Sequence, residues 1–396
     1  MKRVAWSSVF IGLFIVLGTV FAIFYAKGYR ILPQSGRASI EGTGLLVLTS
    51  KPDGARVLID GDFVTATNNT INLFPGTYSI EIQKDGYISW KKTIQVKKEV
   101  VTQATALLIP AAPKLEAVTT TGVDNIIIDS SYTFLAYTTA SASAQKNGIY
   151  VLDMRSTPLI SLGITPTQIV NNNIDDFSNA ALSFSPDTKQ LLATTSAATY
   201  LLSTNGINDK PQNVSSTLSQ IEKDWQQQQL EKDKKLADAL PKKIRQIASS
   251  NFKNMSPSPD GDKILYSASI SAQLPVITKK RLPGENTTPE DRNLKPGNLY
   301  VYDIKEDRNY LILDFSSLNS NESLPKYLWH PDSNHLIFAQ GKRIYIIEFD
   351  AQNKTTIYAG PFLDSYVFPW PDGSSTAIVT RLSPEVPYNL YRISLK

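Results

Sequence analysis

Hydrophobic positions follow three different patterns along the chain. From Val4 to Tyr25 no charged residue occurs. About 20 apolar residues rising 1.5 Å each match a hydrocarbon layer of roughly 30 Å, so this stretch predicts a membrane-spanning helix. Lys2 and Arg3 precede it, and Lys27 and Arg30 follow. The N-terminal positive charges favour a cytoplasmic tip, with residues 1–30 as tip and anchor and the bulk of the chain extracytoplasmic. A cleaved signal peptide is the competing reading, with Val20-Phe21-Ala22 as its small-residue site. The apolar run exceeds the 7 to 15 residues, about, of a signal h-region, which favours a retained single-pass anchor in the cytoplasmic membrane. Residues 31–43 then read as a linker.

From 44 to 110 the period becomes two. Leu45 to Leu48, Arg56 to Ile59 and Thr77 to Ile82 are short alternating runs. Asp53-Gly54, Asp60-Gly61, Pro75-Gly76 and Asp85-Gly86 separate them, each supplying the positive-φ residue of a tight turn. A small antiparallel β-sandwich is predicted. On the strand beginning at Trp90, Trp90, Ile94 and Val96 share one face, with Lys91, Thr93, Gln95 and Lys97 on the other. Lysines on an open face discourage edge-to-edge pairing, a simpler account than a site for anionic polymer or lipid head groups.

Three turn motifs in order, Pro52-Asp53-Gly54-Ala55, Phe74-Pro75-Gly76-Thr77-Tyr78 and Lys84-Asp85-Gly86-Tyr87, resemble the PEGA domain family. Asp53 stands where the family has Glu, and Thr65 to Asn69 departs from its usual Gly-x-Thr-Pro-like turn. The resemblance implies a cell-envelope β module without enzymatic activity.

Beyond Pro110-Ala111-Ala112-Pro113, residues 111–396 repeat one signal. Ser185-Pro186-Asp187, Ser258-Pro259-Asp260, His330-Pro331-Asp332 and Trp370-Pro371-Asp372 each precede an apolar strand, and Asp129-Ser130-Ser131 is a degenerate fifth copy. Pro sets φ, Asp accepts turn hydrogen bonds, and the next position favours Gly or a small polar residue. Pro331 and Pro371 lie 40 residues apart, near the four-strand period of a propeller blade. The pattern resembles TolB-like or WD40-like β-propellers. It implies about five blades, or six if one has lost its motif, with Lys114 to Thr119 completing the last blade and closing the ring. A helical insertion at about 214–250 is marked by Leu218, Ile221 and Trp225, then Leu236, Leu240, Ile244 and Ile247, with Pro241 dividing two helices. It reads equally as a hairpin packed on the propeller or as a protruding arm. Leu274 to Pro296, with Lys279, Lys280, Arg281, Glu285, Glu290 and Asp291, reads as a solvated loop.

Composition narrows the chemistry. The chain has 396 residues and no Cys, which removes thiol nucleophiles, thiolate metal sites and disulfides. Its net charge of +4 is too small for its length to indicate a nucleic-acid binder. No nucleophile elbow, phosphate loop or dinucleotide fingerprint occurs. The only histidines, His330 and His335, flank one repeat turn, where His330 takes the Ser position of sister copies. Two imidazoles without a third ligand make a weak site, and aspartates repeated around a ring oppose acid/base pairing. No catalytic, cofactor-binding or metal-ligating residue is assigned. The fold class is mainly β: a transmembrane helix, a PEGA-like sandwich and a propeller with a helical insertion. The expected function is non-catalytic binding or scaffolding in the bacterial envelope. Its partners would be envelope polymer or an exported protein, together with the membrane through the N-terminal helix. The alternative is a propeller hydrolase or lyase acting on envelope carbohydrate or peptide.

Overall fold

The computed structural model of the chain describes residues 2–26, 29–34, 37–140, 143, 145–155, 165–278, 286–318 and 325–396, without the side chains of 2–9, 26, 30–34 and 37–41. It divides into two compact units, Met1–Leu108 with Thr278–Thr288, and Ile109–Ile277 with Pro289–Lys396.

In the first unit α1 (Lys2–Ala26) covers the charge-free stretch. Its large apolar side chains between Phe10 and Tyr25 are exposed on all sides, Phe14 to 79% and Phe21 to 67%. The Thr19 hydroxyl donates to the Ile15 carbonyl at 2.8 Å, which satisfies it within the helix. Among the described residues no helix is long and apolar enough to cross a membrane. The structure does not show the crossing expected from the sequence.

Within the expected linker, 31–43, the described residues include two strands. β1 (Tyr29–Gln34) and β2 (Arg37–Gly42) pair antiparallel, with Ile31 opposite Ile40. A ladder satisfies backbone groups that an extended tether leaves to water. Tyr29 donates its hydroxyl to Glu99 at 2.6 Å, and the Lys98 ammonium stands 4.9 Å from the Tyr29 ring centre. These contacts fasten the hairpin to the sandwich.

The sandwich contains β3 (Gly44–Lys51), β4 (Arg56–Ile59), β5 (Asp62–Ala66), β6 (Asn69–Leu73), β7 (Gly76–Gln83), β8 (Trp90–Val96) and β9 (Val101–Leu107). Its sheets run β5-β4-β7-β8 and β6-β3-β9. Leu46, Leu48, Val57, Ile80, Ile82 and Trp90 fill the space between them. One expectation is corrected: β9 lies parallel to β3, so the sandwich is not wholly antiparallel. The short link after β8 carries the chain to the other sheet and leaves β9 running with β3. On β8, Trp90, Ile94 and Val96 are buried while Lys91, Thr93 and Gln95 are exposed. Lys91 meets Glu81 of β7 at 3.0 Å, so this face supplies a carboxylate of its own. Where the sequence departs from the usual turn, the buried Thr67 hydroxyl accepts from the Ala55 N–H at 2.9 Å and lies 2.6 Å from the Ser50 hydroxyl.

The second unit opens with β10 (Leu115–Ala117), and its described residues form five four-stranded sheets. The first is β11 to β14 (Asp124–Ile128, Phe134–Thr139, Gly148–Asp153, Thr167–Asn171) and the second β15 to β18 (Ala181–Phe184, Gln190–Thr194, Thr199–Ser203, Gln212–Asn213). After α2 (Leu218–Ala239) and α3 (Lys242–Asn251), the third sheet starts with β19 (Phe252–Pro257) and β20 (Lys263–Ala268). A side hairpin, β21 (Ala272–Gln273) with β22 (Asn293–Leu294), precedes its last strands β23 (Leu299–Asp303) and β24 (Arg308–Leu313). The fourth is β25 to β28 (Leu328–Trp329, His335–Gln340, Arg343–Glu348, Thr355–Ala359). The fifth joins β29 (Val367–Pro369), β30 (Ser375–Thr380) and β31 (Asn389–Ser394) to β10, with Leu115 opposite Ile393. The start of the unit thus completes its last sheet.

A closed ring does not result; the propeller is not closed. Shared cores join the first sheet to the second and to the fifth, the fifth to the fourth through Leu328, and the fourth to the third. Among the described residues no shared core joins the second sheet to the third. The chain inserts its helices there. Leu218 and Trp225 of α2 face Leu182 and Leu192 of the second sheet across a cavity of about 230 Å³, while Leu240, Ile244 and Ala248 pack into the third sheet's core. Pro241 separates the helices as expected, and α2 buries no residue of its own.

One turn recurs at the head of all five sheets. The N–H groups of Asp129, Ser185, Ser258, His330 and Trp370 donate to the carbonyls five residues on, at 2.8 to 3.0 Å. The fourth residue of each turn, Tyr132, Thr188, Gly261, Ser333 or Gly373, takes φ between 56° and 77°. That region disfavours any residue with a Cβ by about 1 to 2 kcal/mol. A Cβ on Gly261 meets nothing within 4 Å, whereas on Gly373 it comes within 3.0 Å of the His330 ring. Gly261→Ala is therefore expected to cost the backbone penalty alone, about 1 kcal/mol. Gly373→Ala should cost distinctly more, as read from urea midpoints. Equal losses would show that the His330 contact carries no weight.

Candidate functional site

The five turns also decide what their carboxylates can do. Asp187 accepts from the Ser185 hydroxyl at 2.7 Å and the Lys189 N–H at 3.2 Å. Asp260 accepts from the Ser258 hydroxyl at 2.5 Å and the Asp262 N–H at 3.0 Å, and Asp372 from the Ser374 N–H at 2.7 Å. In the degenerate copy Asp129 serves the N–H groups of Thr133 and Phe134 at 2.7 and 2.6 Å. The Ser185 hydroxyl holds the Asp187 carboxyl below its ordinary range. Burial pushes Asp260 up, but the Ser258 hydroxyl and the Asp262 N–H outweigh it and leave Asp260 lowered. These aspartates clamp their own turns.

The fourth turn has different chemistry. His330 occupies the first position, as the sequence implied, and His335 the sixth, where sister turns have Gln190, Lys263 and Ser375. Asp332 lies between the two imidazoles, with Oδ2 2.7 Å from His335 Nδ1 and Oδ1 3.1 Å from His330 Nδ1. Both imidazoles are nearly buried. Burial raises the Asp332 carboxyl, yet the His335 and His330 rings bring it far below the carboxylate range. Burial lowers His335, and Asp332 overrides this to raise it, with Glu348 and Asp350 adding to the effect. Ligand atoms of all three residues lie within 4.8 Å of one another. Asp332 is the third ligand that the two histidines lacked in the sequence. The sister turns contained the signal, since their first and third positions touch in every Ser-x-Asp copy.

A cavity of about 500 Å³ between the first and second sheets is lined by Phe134, Asp153, Arg155, Asp187 and Lys189, among others. Arg155 forks onto Asp153 through two bonds of 3.0 Å and lies 4.4 Å from the Phe134 ring centre. The expectation of a solvated loop from Leu274 to Pro296 is corrected over its described part. Leu274 and Leu294 are buried, and Arg292 meets Glu290 at 2.8 Å and Asp307 at 3.3 Å. The reason is local: Tyr302 donates to the buried Asp307 at 2.8 Å, and Arg292 closes the pair. Lys279, Lys280, Arg281 and Glu285 lie outside the described residues.

With this geometry in place, residues 43–111 match the PEGA domain model, so the first unit carries a PEGA domain. No curated protein matches the chain. Among solved structures it is similar to a protein described as TolB from Agrobacterium tumefaciens, at 15% identity over 69% of this chain and 72% of that one, with a TM-score of 0.22. TolB from Acinetobacter baumannii matches at 12% identity over 80% of this chain and 60% of that one, TM-score 0.23. Hydrazine synthase from Kuenenia stuttgartiensis matches at 14% identity, over 93% of this chain and 100% of that one, TM-score 0.21. At these scores the architecture rests on the strand pairings themselves.

The turn carboxylates make stability depend on pH. A carboxyl lowered by folding adds stability above its unfolded value and loses it as pH falls through the folded one. Unfolded Asp titrates near about 3.9. Asp187 and Asp260 are both lowered. Urea midpoints of the second unit are therefore expected to fall as pH drops below about 4. The paired substitutions Asp187→Asn and Asp260→Asn should flatten that slope, and an unchanged slope would place the acid sensitivity elsewhere.

Proposed function

We propose that this protein is a non-catalytic binding or scaffolding protein of the bacterial cell envelope. On this reading it is anchored in the cytoplasmic membrane by α1, with both β units extracytoplasmic, and engages envelope polymer or another exported protein. The observation that supports it most is the use of the repeated carboxylates. Asp129, Asp187, Asp260 and Asp372 are spent on their own turns, leaving sheet faces and grooves as the surfaces for contact. The all-round exposure of apolar side chains on α1 supports the anchor, because a single patch of that size in water is unfavourable.

Three measurements test the reading. The full chain should sediment with membranes, and a chain lacking residues 1–26 should not. Protease added to intact spheroplasts should digest both β units and spare a cytoplasmic marker. Protection of the β units would invert the topology and remove the envelope reading. Turnover of cell-wall fragments that is abolished by carboxylate substitutions would overturn the non-catalytic assignment.

A further inference from the structure

We propose that His330, Asp332 and His335 form a binding site for a divalent transition metal of the zinc class at the fourth-sheet turn. The argument begins with His330. Its Nε2 lies 3.2 Å from the Gly373 carbonyl, which can only accept, so Nε2 carries the proton. In the neutral ring Nδ1 is then a bare lone pair, 3.1 Å from Asp332 Oδ1. The Asp332 N–H reaches this Nδ1 only at 3.3 Å. Two acceptors held that close need a proton or a metal cation between them, and a metal ion can take both lone pairs. His335 Nδ1, 2.7 Å from the other carboxylate oxygen, supplies a third donor. Two imidazoles and one carboxylate are a donor set suited to zinc, with a fourth position left for water. The Gly373 carbonyl orients His330 as a metal-bound imidazole is normally oriented, through its other nitrogen.

Charge and access agree with this geometry. Glu348 stands directly opposite His335 in the strand pairing, and Asp350 lies close enough to act on the same ring. The imidazole side chains are 4% and 8% exposed, whereas Asp332 keeps 25%, so the carboxylate edge is where an ion enters. The site also touches the neighbouring turns. Ser333 accepts from the Asp260 N–H at 3.0 Å, and Gly373 belongs to the fifth turn. A bound ion displaces the proton shared by His335 and Asp332 and ties three successive turns together.

The test uses the metal-stripped full chain in detergent micelles, titrated with Zn2+ and Co2+. One ion per chain is expected, together with the visible absorption of four-coordinate Co2+ and a rise in Tm. Sister turns supply the control, because Ser185 and Gln190 hold the first and sixth positions in the second sheet. The double variant His330→Ser, His335→Gln should still fold, with a lowered metal-free Tm that added Zn2+ no longer raises. It should lose roughly 100-fold or more in metal affinity, beyond the loss typical of removing an outer-shell partner. Absence of stoichiometric binding by the wild-type chain overturns the proposal, as does binding by the double variant at wild-type affinity. Should the double variant not fold, His335→Gln alone and the wild-type Co2+ spectrum decide in the same sense.

Discussion

One backbone interaction organises the second unit. At the head of each sheet an N–H reaches the carbonyl five residues on, and the fourth residue between them turns left-handed. The side chain at the first or third position then bonds the freed N–H groups inside the turn. Strand pairing can begin directly after so short a reversal, and register follows from it. The turn tolerates Gly, Ser, Thr and even Tyr at its strained position because the remaining bonds over-determine the backbone.

That economy explains how one turn can host unlike chemistry. Backbone bonds hold the frame, so the first and sixth side chains vary without loss of shape. In the second sheet they are Ser185 and Gln190, in the third Ser258 and Lys263, and in the fourth two histidines around one carboxylate. Lys263 already stands 3.8 Å from Asp260, a cation beside the turn aspartate in the position His335 fills next door.

The helical insertion has the opposite effect on the array. A strand pairs wherever a free edge is offered, and β10 finds β31 in this way. Closing a ring further requires each sheet to bury a face against the next. Between the second and third sheets the chain interposes α2 and α3, and α3 takes Ile244 and Ala248 into the third sheet's core. Pairing is completed at one end while packing is interrupted in the middle.

Much of this was legible in the residues. Period-two runs, Asp-Gly turns and the recurring Pro-Asp signal determined the sandwich, the five sheets, the division at Pro241 and the buried face of β8, because each depends on neighbours a few residues apart. Other features depended on partners distant in sequence. The parallel β3–β9 pair, the Arg292–Asp307 lock and the interrupted ring are set by which surfaces meet across the fold. The expected linker, 31–43, read as a tether because it carries Gly and Ser, whereas Tyr29 at its head bonds Glu99, 70 residues away. The His330–Asp332–His335 cluster lies between these cases. The sequence placed its residues in one turn, but only folding aimed both rings at one carboxylate, with Gly373 of the next sheet fixing the proton on His330.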